Sequence, residues 1–220
     1  MLDNTTIETI KNYANRDLPD ESFYDNLFQF ITNETVRNQI LKEYKNIRFV
    51  YKILEGLQVE NDLLYFETKT QIIMYASIHE MVITWVLFNY FDNSPDVQEL
   101  TSIKTLKRYS ISPDKLVRIS SALVHDSKDI IPCFEKIDSV DRTKIRFDSK
   151  VDAAYKLGLI SEQMKKDLIK IFEYRNTVHI EATLKKNLDY TLEISKLAYR
   201  RVEGLNIELS NALKNMGLWN

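Results

Sequence analysis

Four glycines and four prolines are the whole supply of backbone punctuation in 220 residues. That is under a third of the roughly 12% usual for these two residue types. Few positions can then take a positive φ cheaply or break a hydrogen-bond ladder. Both an all-β fold with many turns and a glycine-rich phosphate-binding α/β fold are disfavoured. With Leu, Ile, Lys, Glu and Asn plentiful, the expected class is all-α, a single helical bundle of six to eight helices with no convincing strand. The charges, 30 basic against 32 acidic, sum to −2. A protein that coats nucleic acid wholesale is therefore excluded, and any anion site has to be local. The lone cysteine, Cys133, rules out an internal disulfide framework and a multi-cysteine zinc site. It suits a reducing cytosol, and the expected location is cytoplasmic.

The residues from Met1 to Thr6 carry neither the basic nor the apolar segment of a secretory signal. Helices are expected over Thr5–Arg16, Asp20–Phe30 and Glu34–Leu57. In the last, Val36, Ile40, Tyr44, Ile47, Tyr51 and Leu54 recur every three or four residues. Residues 1–33 read as an N-terminal helical extension and 34–220 as the bundle. The stretch Thr70–Phe91 is long enough to span a membrane, but His79 and Glu80 fall at its centre. A carboxylate there costs roughly 2.5–3.5 kcal/mol even on a lenient insertion scale. A buried core helix, with no membrane contact, is the expectation. Ser94-Pro95 and Ser112-Pro113 each pair a capping serine with a proline suited to a first helical position. The helix begun at Pro113 should end before Pro132, and Ile137–Arg146 reads as a loop. Three more helices follow: Ser149–Leu157, closed by Gly158; one capped by Ser161 and running through Val178; and a long amphipathic one from Leu188 to about Met216.

The chemistry concentrates in Tyr174-Arg175-Asn176-Thr177-Val178-His179. Placed four apart on one helix, Arg175 and His179 share a face. A guanidinium offers a fixed fork for phosphate oxygens, and an imidazole exchanges protons near neutral pH. Together they suit phosphodiester cleavage in which an RNA's own 2′-hydroxyl is the nucleophile. The same spacing also occurs on ordinary solvated helix faces. Glu80, in so apolar a helix, needs a cationic partner. Arg175 is one candidate; a lysine, or a position at a cleft edge, is the other explanation. From Arg142 to Lys170 eight basic residues face four acidic ones. That excess includes Lys165, Lys166 and Lys170, continues in Lys185 and Lys186, and suits a phosphate chain. Tyr174 or Tyr155 could stack a base.

The run from Phe147 to Glu181, FDSKVDAAYKLGLISEQMKKDLIKIFEYRNTVHIE, resembles the C-terminal signature of HEPN-domain proteins. The matching order is a short helix, Gly158-Leu159-Ile160, a capped helix, Arg175-Asn176 and His179, with an upstream apolar helix bearing Glu80. The resemblance implies a small helical bundle that dimerises. It also implies a metal-independent endoribonuclease of toxin–antitoxin or phage-defence type, without cofactor, whose Arg and His from both protomers line one cleft. Carried over, Arg175 stabilises the phosphate, His179 transfers the proton and Asn176 orients substrate or the histidine; Glu80 and Tyr174 support them. RNA, a second copy of the chain and an antitoxin or other defence protein are the implied partners. The spacing departs from the family's: three residues separate Arg175 from His179, where four to six are usual. Because some HEPN proteins are non-catalytic, a silent dimerisation and binding module is the alternative. Elsewhere His79 is expected to be a hydrogen-bonded core residue. His125 is either a favourable helix-end cation or a second cleft wall, and Cys133 is expected to be a small buried hydrophobe. No spacing of histidines or acids suggests a metal site.

Overall fold

The computed structural model describes residues 2–16, 18–122, 124–125, 128–129 and 131–220. Most of the chain is helical, as its composition implied. The contacts divide it into two compact units, Met1–Val97 with Arg146–Asn220, and Gln98–Ile145.

The first unit holds α1 (Asn4–Arg16), α2 (Glu21–Asp25), α3 (Glu34–Gly56), α4 (Asn61–Tyr90) and the first half of α5 (Pro95–Leu100). The second unit supplies β1 (Ser102–Arg108), α6 (Pro113–Ala122), β2 (Val124–His125), β3 (Lys128–Asp129), β4 (Cys133–Ser139) and a short 3₁₀ turn. The chain then returns to the first unit for α7 (Phe147–Lys156), α8 (Glu162–Asn176), α9 (Ile180–Lys186) and α10 (Leu192–Asn215).

α4 is the axis of the first unit, and α3, α7, α8 and α10 all pack on it. Ile72, Val82, Ile83 and Leu87 of α4 are completely buried. α4 is the one described helix with the length and apolar character to cross a membrane, and most of its apolar window is packed inside the protein. It begins at Asn61, nine residues before the expected Thr70. The early turns carry Glu67 and Thr68, polar residues that are nonetheless buried. Thr68 gives its hydroxyl hydrogen to backbone carbonyls, including that of Tyr190 at 2.8 Å. The N-terminal residues belong to the same core. Leu27, Phe28, Phe30 and Ile31 are all under 4% exposed, and the Phe28 amide donates to Asn206 Oδ1 at 2.7 Å.

Side-chain caps start three helices where the sequence suggests. Asp20 accepts from Phe23 N at 3.0 Å, Asn33 from Val36 N at 3.1 Å and Ser161 from Met164 N at 3.1 Å. Each satisfies one of the backbone donors that a helix start leaves free. Gly158 closes the segment after α7 at φ +71°, a conformation that side-chain-bearing residues rarely take.

The second unit departs from the expectation of an entirely strand-free chain. β1 and β4 pair antiparallel, from Ser102 opposite Ser139 to Arg108 opposite Cys133. Most of Ile137–Arg146, read as a loop, is thus strand or 3₁₀ turn. The side chains of both strands are almost all exposed. With neither face buried, the alternation that normally betrays a strand is absent from the sequence. Cys133 opens β4 and is exposed, against the expectation of a buried thiol. Of the stretch containing His125, the backbone of β2 is described but the side chains are not, and Asp126 lies outside the described residues.

Candidate functional site

Where α4, α7 and α8 meet, three charged side chains form a graded cluster. Lys150 of α7 is 2% exposed, Glu80 of α4 26% and Arg175 of α8 41%. The Glu80 carboxylate bridges the two cations: Oε1 lies 3.9 Å from Lys150 Nζ and Oε2 3.7 Å from Arg175 Nη2. The sequence pairing of Glu80 with Arg175 or with a lysine resolves into both at once. Lys150 Nζ also donates to Thr84 Oγ1 at 3.1 Å, one helical turn beyond Glu80 on α4. Burial lowers the Lys150 pKa, and the nearby Glu80 charge partly restores it. The three charges sum to +1, with the outermost positive group reaching solvent.

The helix packing that holds this cluster is aromatic. Phe147 of α7 meets Phe172 of α8 with ring centroids 4.5 Å apart. The Arg175 guanidinium lies over that same Phe172 ring, 5.0 Å from its centroid. Arg175 Nη1 donates to Asn176 Oδ1 at 3.4 Å. A cation in the last turn of α8 is also favoured by the helix dipole. Stacked on one side and tethered by a carboxylate, the guanidinium is held with donors left for an oxyanion at the surface.

Lys150 was missed in the sequence, yet a signal for it exists. Phe147, Lys150, Val151 and Ala154 recur at helical spacing, and all are buried. A lysine inside an apolar stripe marks a buried charge, and hence a carboxylate facing it.

His179 does not share a helical face with Arg175, contrary to the expected continuous helix through Val178. α8 ends at Asn176, and His179 sits exposed in the turn before α9. The physical cause is competition for one carbonyl. Tyr174 O accepts from Thr177 N at 3.1 Å, from Thr177 Oγ1 at 2.7 Å and from Tyr190 Oη at 3.0 Å. Thr177 Oγ1 and Tyr190 Oη also share a hydrogen bond at 2.9 Å, and both residues are buried. The carbonyl that should receive Val178 N is therefore occupied, and the helix stops.

The other expected site residues are scattered in their engagements. Lys165 pairs with Asp152 at 2.7 Å and lies over the Tyr155 ring at 4.9 Å. Lys166 pairs with Glu162 at 2.7 Å and Lys186 with Glu173 at 2.9 Å. Lys170 and Lys185 are exposed. Tyr174 meets Tyr190 edge to face at 5.7 Å, so its ring helps lock the end of α8. Among the described residues no group of three or more His, Cys, Asp or Glu side chains is placed to hold a metal ion.

His79 is buried, as expected, but the expected hydrogen bond is not found among the described residues. Among the described residues neither ring nitrogen has a partner. Burial, with a smaller contribution from the Arg201 charge, pushes its pKa down to about 3. It is a neutral core group at physiological pH.

Comparison with models of protein families, with curated proteins and with solved structures gave no match to the chain.

Proposed function

We propose that the chain is an HEPN-like endoribonuclease that cleaves RNA without a metal ion, in a cytoplasmic toxin–antitoxin or phage-defence role. The observation that carries this reading is the Glu80 carboxylate reaching Arg175 from the core helix, with buried Lys150 behind it. A guanidinium tethered from below and stacked on Phe172 is oriented before substrate arrives, which is what phosphate recognition rewards. In the proposed reaction Arg175 binds a non-bridging oxygen of the scissile phosphate. The His179 imidazole takes the proton from the 2′-hydroxyl, and the 2′-oxygen attacks phosphorus. The bond to the 5′-oxygen breaks, and that oxygen takes up a proton from a second acid. The products are a 2′,3′-cyclic phosphate and a 5′-hydroxyl. The turn bearing His179 is exposed, and in this reading a second copy of the chain, with its own arginine and histidine, would complete the cleft and supply the acid.

A second reading is a catalytically silent module that binds RNA or a protein partner. The break in α8 after Asn176 favours it, because the two side chains lose the one-turn register that would aim them together. One experiment separates the two. Purified protein is incubated with RNA in EDTA, beside Arg175→Ala and His179→Ala. Cleavage leaving cyclic phosphate ends, reduced roughly 10²–10⁴-fold by His179→Ala, is the expected result for a proton-transfer residue. RNA binding without cleavage selects the silent module, and neither binding nor cleavage refutes the nuclease and the RNA-binding form of the module, leaving only one that binds a protein.

A further inference from the structure

Gln71 and Glu80 are nine residues apart on α4, about two and a half turns, so they point to opposite sides of that helix. On the Gln71 side, α3, α4 and α10 line an open cavity of about 270 Å³. Arg48 and Lys52 of α3, and Lys196 and Arg200 of α10, place four cations along its wall. Among the described residues that line it, Glu55 is the one carboxylate, and it is already paired with Lys52.

Arg48 is the telling residue. Its guanidinium carbon lies 4.3 Å from the Tyr199 ring centroid and 5.4 Å from that of Tyr51. Its Nε is buried and has no hydrogen-bond acceptor among the described residues. No carboxylate pairs with it there either. An arginine stays charged in a protein, and stacking on rings does not satisfy its donors. A buried, unmet guanidinium donor beside a cavity is a considerable cost unless an anion occupies the space. The polar wall opposite is already satisfied: Ser195 Oγ donates to Gln71 Oε1, and Gln71 Nε2 donates to Glu67 at 2.8 Å. The guanidinium also donates to the Tyr75 hydroxyl, so the Nε–H is the donor left over, and with four lining cations against one paired carboxylate an anionic acceptor suits it best.

We propose that this cavity is a binding site for a small organic phosphate, a monoester whose dianion is held by Arg48, Lys196 and Arg200. A phosphate monoester carries close to two negative charges at neutral pH and presents three acceptor oxygens, which suits converging arginine and lysine donors. One water occupies about 30 Å³, so the cavity accommodates roughly nine groups of that size. That is more than inorganic phosphate fills, and the remainder, walled by tyrosine rings, receives the organic body. The site is independent of the Arg175 cluster and stands whether or not the chain cleaves RNA.

The test is isothermal titration of the full chain with uridine 5′-monophosphate and ribose 5-phosphate as probes. Inorganic phosphate, succinate and uridine serve as comparators. The expected result is saturable binding of at least one monoester, weakening with added salt, about tenfold tighter than inorganic phosphate or succinate, and no binding of uridine. Lys196 and Arg200 are exposed, so K196E/R200E should fold normally, with an unchanged circular dichroism spectrum, and weaken binding at least tenfold. Arg48→Gln should do the same. Failure of both monoesters to bind at millimolar concentration overturns the proposal. So do equal affinity for succinate or inorganic phosphate, and undiminished affinity in folded K196E/R200E.

Discussion

His79→Leu should make the protein resistant to mild acid, and the size of the effect follows from where the ring sits. The imidazole is 1% exposed and neither nitrogen is hydrogen-bonded among the described residues. The positive charge on Arg201, itself held by Asp167 through Nε at 2.8 Å, further opposes protonation. In the unfolded chain a histidine titrates near 6.5, whereas in the folded protein His79 titrates at about 3. Above about pH 6.5 both states are neutral at this residue, and nothing is lost. As pH falls, the unfolded chain binds a proton that the folded one refuses, and stability declines by about 1.4 kcal/mol per pH unit until about pH 3. By about pH 5 the loss amounts to about 2 kcal/mol, a large share of the 5–15 kcal/mol typical of a whole domain. Leucine has similar bulk, no unmet polar atoms and no titration. Urea unfolding of wild type and H79L at pH 7.5, 6 and 5 measures the difference directly. The wild-type midpoint should fall across this range and the mutant's should fall much less, with H79L no less stable at pH 7.5. Equal slopes in the two proteins, or a His79 ring resonance titrating near pH 6.5, would refute the reasoning.

Glu80→Ala leaves Lys150 buried without its carboxylate, and breaking a buried pair costs about 3–5 kcal/mol. The contacts of 3.7 and 3.9 Å and the partial exposure of Glu80 reduce this to about 1–3 kcal/mol. Adding Lys150→Met should recover most of the loss in chemical denaturation, and a double mutant no more stable than Glu80→Ala alone would contradict the pairing. Gly56→Ala ordinarily stabilises a helix by about 1 kcal/mol, but an added Cβ would lie 2.5 Å from Tyr13 Cε1. The expected outcome is a lower melting temperature, as α1 is pushed from α3, and recovery when Tyr13→Ala is combined with it.

Much of the bundle was legible because its signals are local. The stripe from Val36 to Leu54 marked α3, and Ser161 and Gly158 marked the boundary between α7 and α8. Glu80 was legible as a charge in need of a cation because no neighbour within its own apolar helix could satisfy it. That argument holds whatever the tertiary arrangement. Lys150 was readable by the same logic, since its place among Phe147, Val151 and Ala154 requires burial if the helix is amphipathic. The paired strands of the second unit were not readable. Their side chains face solvent on both sides, and backbone pairing between residues about thirty apart leaves no periodic trace in the sequence.

The sequence by itself determined a helical protein with a carboxylate in its central helix that needs a cation beside it. Those features follow from glycine and proline scarcity, from periodicity and from the cost of an unpaired buried charge. Tertiary structure alone decided that Arg175 and His179 part company. The Tyr190 hydroxyl and the Thr177 side chain converge on the Tyr174 carbonyl, and Tyr190 is itself anchored to α4 through Thr68. A helix ends where its carbonyls find better partners, and one of these partners lies sixteen residues further along the chain.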